Sequence, residues 1–134
     1  MSLSFPELVA QNKAGGVEEL ARRAKEQGGE SYAATPLDQL RSRMGLLFDA
    51  LQRAIGQNDA TIMEQYIATS VRQRVRERYA MQEIQTFVSI LHEVVVGLLD
   101  RTYVDDPGTY RESMRHFEDL AHRTRAEAFR VYLQ

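Results

Sequence analysis

Leu37, Leu40, Met44, Leu47, Leu51 and Ala54 recur at spacings of 3-4-3-4-3, and this period constrains the chain more than any motif in it. An α-helix, at about 3.6 residues per turn, gathers such positions into one stripe, whereas a strand scatters them over two faces. A stripe of that kind must be covered, so the helix needs packed neighbours. Its start is also marked. Thr35-Pro36-Leu37-Asp38 offers a capping hydroxyl, Pro at the first helical position and an acid in the place of the usual capping-box Glu. Gly56-Gln57-Asn58-Asp59 closes the helix, with Asn58 or Asp59 able to cap the next.

The helical period continues along the rest of the chain. A helix from Ala60 to about Tyr79 places Ile62, Met63, Tyr66, Ile67, Ser70, Val71 and Val75 inward. Another, from Met81 to about Arg101, is apolar over a wide arc: Ile84, Phe87, Val88, Leu91, Val94, Val95, Leu98 and Leu99. So broad an arc calls for neighbours on two sides and marks the central helix, with Phe87, Leu91, Val94 and Leu98 facing Leu40, Met44, Leu47 and Leu51. Asp105-Asp106-Pro107 then breaks the chain and caps a last helix. In it Tyr110, Met114, Phe117, Ala121, Thr124, Ala128 and Val131 repeat at heptad spacing. Upstream, two short helices are expected, Phe5 to Lys13 and Val17 to Gln27, with Gly15-Gly16 and Gly28-Gly29 as helix stops. The expected architecture is a single all-α domain over residues 1–134. Short leading helices occupy 1–34, and a compact bundle of four principal helices, joined by short connections and hence antiparallel, occupies 35–134.

With 134 residues, 43% of them hydrophobic, the chain has one domain's worth of core. Cysteine is absent, which removes disulfides, thiolate metal sites and thiol catalysis. The 17 basic and 19 acidic residues leave a formal charge of −2, so nothing global draws the chain to nucleic acid or to an anionic membrane. Val94-Val95-Val96-Gly97-Leu98-Leu99 is the longest apolar run and falls far short of the roughly 20 residues of a spanning helix. The stretch from Met1 to Pro6 has neither the basic nor the apolar region of a secretory signal, and cytoplasm is the expected compartment.

Catalytic chemistry finds little footing. There is no G-x-S-x-G elbow and no glycine-rich strand-to-helix turn. Glu112, His116 and Asp119 share a face, and Asp119-Leu120-Ala121-His122 is a single D-x-x-H. A bundle metal site draws acid–histidine motifs from several helices, so a solvated polar face is the expected reading, with no metal and no cofactor. His92, beside Glu93, has the one ligand a haem needs but is expected to be an ordinary surface histidine. The segment from Arg72 to Tyr79 carries the strongest local charge. Arg72, Arg76 and Tyr79 fall on one helical face, with Arg74 and Arg78 in a second row. Three readings apply: a solvated face whose arginines pair with Glu77, Glu83 or acids on adjacent helices, a protein interface rich in Arg and Tyr, or a nucleic-acid surface, which the acidity of the whole chain disfavours.

The span from Pro36 to Tyr103 resembles the N-terminal domain of RsbT co-antagonist proteins, the RsbRD-type helical sensory module also found ahead of some histidine kinases. The resemblance rests on the Leu37–Ile55 helix, the polar Gln57–Thr61 loop and the arginine-rich Val71–Tyr79 helix end. It continues through Ala80-Met81-Gln82-Glu83-Ile84, at the family's G-[FY]-S-x-x-E-[VIL] joint, and the Phe87–Leu99 helix. The chain departs from the family in placing Arg78 or Tyr79 where the joint carries glycine, and in having no Trp. The resemblance implies a regulatory input domain that acts by helix repacking, has no catalytic residues, and serves an output domain or signalling partner.

Two functions follow as expectations. The leading one is a non-enzymatic signalling domain of bacterial stress or two-component type that binds proteins. The alternative is a small-molecule sensor whose ligand lies between helices, where Met44, Met63, Met81 and Met114 suit a deformable pocket. The candidate interface residues are Arg72, Arg76, Tyr79, Phe129, Tyr132 and Leu133. The last three exceed what one heptad seam can dock, which points to a homodimer unless they fold back on the short leading helices.

Overall fold

Local capping chemistry divides the chain into helices. In this computed structural model the described residues are 3–134, so the signal-peptide reading of Met1 and Ser2 lies outside them. Among the described residues there are seven helices: α1 Phe5–Gln11, α2 Lys13–Gln27, α3 Glu30–Ala34, α4 Leu37–Gly56, α5 Ala60–Arg76, α6 Met81–Thr102 and α7 Pro107–Tyr132. No strand occurs among them, and the fold is all-α. Ser4 and Glu7 close a reciprocal capping box on α1, Ser4 N–H to Glu7 Oε1 at 3.1 Å and Glu7 N–H to Ser4 Oγ at 3.3 Å. Asp59 accepts from Thr61 N–H at 3.0 Å and starts α5. Asp106 accepts from Thr109 N–H at 3.1 Å and starts α7.

Five long helices form a closed circuit in which each packs on the next: α4 on α5, α5 on α7, α7 on α6, α6 on α2, and α2 back on α4. The helix α1 lies against α4, and α3 lies against α2. The expected bundle of four principal helices therefore misses one wall. The reason is Gly15-Gly16, which does not stop a helix. The helix α2 runs through both residues for 15 residues, because Gly16 is buried at a contact with Phe48 of α4. Gly28-Gly29 does end the helix, with Gly29 at φ +111°, a region open to glycine.

The circuit corrects two further expectations. The helix α5 packs on α7 as a parallel neighbour, since Glu64 pairs with Arg123 at 2.8 Å and, farther along both helices, Arg72 lies beside Glu127 and Arg130. Short connections make successive helices antiparallel, but they do not decide which helices touch. The helix α6 has neighbours on two sides, as its broad arc requires, yet it is not central, because every member of the circuit has two. The stripe of α4 meets α6 across the circuit: Met44 and Leu47 share a cavity wall with Phe87 and Val88, and Leu51 shares another with Leu91.

The buried stripe of α7 is Ser113, Phe117, Leu120, Thr124, Ala128 and Val131. Leu120 thus replaces Ala121 in the expected seam, and Tyr110 and Met114 are half-buried beside Ser113. On α5, Val75 is 41% exposed and Ala68 is buried in its stead, because the close α5–α7 contact rotates the covered stripe toward α7. The capping box expected at Thr35 is also absent. Pro36 occupies the N-cap position of α4 without a side-chain bond, and the Thr35 hydroxyl is engaged elsewhere.

Candidate functional site

Thr35 Oγ1 lies 2.8 Å from the carbonyl of Ser31 and 2.6 Å from the hydroxyl of Tyr79. A threonine hydroxyl has one proton, and the carbonyl can only accept it, so Tyr79 donates to Thr35. The Tyr79 hydroxyl in turn accepts from Arg43 Nη1 at 3.3 Å. This relay joins α4, the α5–α6 turn and α3 at one end of the circuit. Tyr32 packs there edge-on against Tyr79 at 4.9 Å and stacked on Phe87 at 5.4 Å.

Beneath this aromatic cover is a cavity of about 50 Å³ between α4, α5 and α6. One water needs roughly 10–15 Å³ by the same measure, so several waters or a short apolar group fit. Its walls are mostly aliphatic, from Met44, Leu47, Ile67, Val71, Ile84 and Val88. The polar atoms converge on one side: Arg43, Arg74, Tyr66 and Ser70. Both guanidinium groups bind a single carboxylate, Glu77, Arg43 Nη2 at 3.1 Å and Arg74 Nη1 at 2.6 Å. Arg74 also lies 5.7 Å from the centre of the Tyr79 ring, a cation–π contact. The two cations and one anion leave one positive charge in excess at the cavity.

The electrostatics follow from these neighbours. Burial pushes the Glu77 carboxyl up, but the Gln73 amide with Arg74 and Arg43 outweighs it and holds the carboxyl below its ordinary range. Burial raises the Tyr66 phenol against the opposing pull of Ser70, Arg74 and Arg43. The phenol stays protonated at neutral pH and donates to the Arg43 carbonyl at 3.2 Å. Burial, then Tyr79, likewise raises Tyr32. The cavity thus presents fixed guanidinium donors and neutral phenols at neutral pH.

Glu83 holds the cover in place. It accepts from Ser31 N–H at 2.7 Å, Ser31 Oγ at 2.7 Å and Ala80 N–H at 2.9 Å. The last bond satisfies an orphan donor at the start of α6, and the first two bind α3 to that start. The sequence pattern offers Glu83 as part of the joint and as a partner for the α5 arginines, whereas here it binds Ser31 and Ala80.

The candidate interface residues divide. Arg72 and Arg76 are exposed, but Tyr79 is 5% exposed and does not share their face. The helix α5 stops at Arg76, and Arg78 takes φ +67°, which turns the chain inward. Tyr132 folds back on that turn, not on the leading helices, its hydroxyl donating to the Tyr79 carbonyl at 3.2 Å. Phe129 is half-buried, and Leu133 is 74% exposed. Because α5 and α7 run parallel, Arg72, Arg76, Phe129 and Leu133 all lie toward the same end of the circuit. The sequence gives no sign of this meeting, since it depends on the order of helices around the circuit.

The histidines are spread over other contacts. His92 Nε2 lies 2.7 Å from Glu118 Oε1, and His116 meets the Phe5 ring edge-on at 6.2 Å. Glu112, Asp119 and His122 are exposed. Among the described residues no three His, Asp or Glu side chains converge as a metal site requires, and no helix is long and apolar enough to cross a membrane. The chain matches no family model, no curated protein and no solved structure.

Proposed function

We propose that this chain is a non-enzymatic regulatory domain that takes up a small molecule between α4, α5 and α6 and responds by repacking those helices. The observation that carries this reading is the cavity of about 50 Å³ with aliphatic walls and arginine donors on one side. Apolar walls with a few convergent polar groups are the usual make-up of a ligand site. The cavity touches α4, α5, α6 and Tyr32 of α3 at once, so an occupant bears on the relation between four helices. Signalling of bacterial stress or two-component type, in the cytoplasm, accords with the resemblance to RsbRD-type sensory domains. Arg78, one of the two positions where the family's joint carries glycine, takes a left-handed conformation that glycine adopts without strain.

Protein partners, including a second copy of this chain, would read the change at the shared end of α5 and α7. Arg72 and Arg76 frame that end with Phe129 and the exposed Leu133. A titration with 1-hexanol, followed by methyl NMR, tests the cavity. Saturable shifts centred on Met44, Ile67, Val71 and Val88 are expected. Shifts scattered over the surface, or none at millimolar alcohol, would remove the reading.

A further inference from the structure

Glu77 occupies an unusual position. Its carboxylate is gripped by Arg43 from α4 and by Arg74 from α5, at 3.1 and 2.6 Å, and both arginines line the cavity. Paired guanidinium groups of this kind suit a carboxylate or a phosphate, and the group they hold here is a carboxylate. Yet Glu77 does not belong to either cavity-lining helix segment. It caps α5 beyond its last helical residue, Arg76, and the next residue, Arg78, reverses the backbone. A rotation of the Glu77 side chain therefore frees both arginines without unwinding a turn of helix. The released carboxylate retains a partner, the Gln73 amide at 3.1 Å, on an exposed residue.

We propose that Glu77 is a built-in stand-in for the ligand's own head group. The ligand is a small monocarboxylate with a short apolar tail. Its carboxylate displaces Glu77 from Arg43 and Arg74, and its tail enters the space lined by Met44, Ile67, Val71 and Val88. This rests on the cavity reading above and adds the chemistry of the occupant. A neutral ligand would leave Glu77 in place, whereas an anion competes with it directly. The cavity of about 50 Å³ suits a short unbranched tail such as that of hexanoate, with the unbranched Met44 able to adjust around it. Exchange of Glu77 for a ligand re-seats Arg43, which also donates to the Tyr79 hydroxyl, and the Tyr79 carbonyl accepts from Tyr132. Occupancy is thereby linked to the C-terminal end of α7.

Hexanoate, 1-hexanol and acetate, titrated into the whole chain at constant ionic strength by NMR, separate head from tail. Hexanoate is expected to bind at least about tenfold tighter than either partial probe, the gain of one charge-assisted contact. Glu77→Gln should tighten hexanoate several-fold and leave 1-hexanol unchanged, and Arg74→Ala should abolish the advantage of hexanoate over the alcohol. Equal binding of acid and alcohol would overturn the head-group assignment and leave the cavity reading intact. Binding of neither would end both. If Arg74→Ala fails to fold, Glu77→Gln decides alone, and hexanoate affinity unchanged or weakened in it overturns the proposal.

Discussion

A Cβ placed on Gly16 would lie 2.6 Å from Cζ of Phe48. That close approach lies where α2 packs on α4, helices also joined by Lys13 with Asp49 and Arg41 with Glu18. Phe48 is fully buried, and its ring has little freedom to retreat. Gly15, one residue earlier, has nothing within 4 Å of the same imagined atom. The two glycines should therefore respond oppositely to alanine. Gly15→Ala should stabilise the protein by up to about 1 kcal/mol through helix propensity alone. Gly16→Ala should lose about 1–3 kcal/mol through overpacking, in spite of the same propensity gain. Urea melts of the two variants check the contrast, and equal shifts would mean the α2–α4 contact is not tight.

This pair also shows what the sequence made legible. The 3-4 stripes of α4 and α6, the Asp59 and Asp106 caps and the all-helical class follow from local spacing, which a sequence displays directly. Gly15-Gly16 looked like a helix stop because glycine destabilises isolated helices. Only the position of Phe48, some 30 residues away, converts Gly16 into a packing contact. The pairing of Arg74 with Glu77 is legible, since they stand at i, i+3, and Met44 reads as pocket filler. Their convergence with Arg43 depends on which helices pack side by side, and no local period encodes that. Tyr79 was misplaced for a smaller reason, a helix end three residues earlier than the pattern suggested.

Two backbone positions predict opposite effects of glycine exchange. Arg78 holds φ +67°, a conformation that costs an L-residue about 1–2 kcal/mol, part of which glycine returns as chain entropy. Arg78→Gly should leave stability unchanged or raise it by up to about 1 kcal/mol. Gly29 holds φ +111°, and an added Cβ would lie 2.7 Å from Glu83 Oε2. Gly29→Ala should cost about 1–3 kcal/mol from backbone strain. Thermal melts of both variants give the signs.

Acid should loosen the α3 cover. Burial pushes the Glu83 carboxyl up, but its bonds from Ala80 and Ser31 prevail and hold it below its ordinary value of 4.5. A carboxyl depressed in the folded state stabilises fully above its unfolded pKa and loses that stabilisation as pH falls through its folded value. Wild-type stability should therefore decline below about pH 4.5, with Glu83 among the contributors. Glu83→Gln should be less stable than wild type at neutral pH, with the gap narrowing in acid. Urea melts from about pH 7 to about pH 3 measure it, and a constant gap would show that Glu83 does not titrate with unfolding.

Self-association remains the most consequential expectation for the C-terminal end. Tyr132 is half-buried, with its hydroxyl tied to the α5–α6 turn. Leu133 stays 74% exposed, and Phe129 is half-buried on the same stretch of α7. A two-fold pairing would bury both side chains twice over, and closed two-fold dimers are the commonest oligomers. Sedimentation at micromolar concentration should give a dimer for the intact chain. Leu133→Glu should return it to monomer with an unchanged thermal midpoint at low concentration, because an exposed residue contributes within about 0.5 kcal/mol to the fold itself. Phe129→Glu should also break the dimer, but with a cost to the monomer from its half-buried ring. A monomeric intact chain would instead assign Leu133 to an ordinary exposed terminus and leave the Arg72 and Arg76 face as the remaining partner surface.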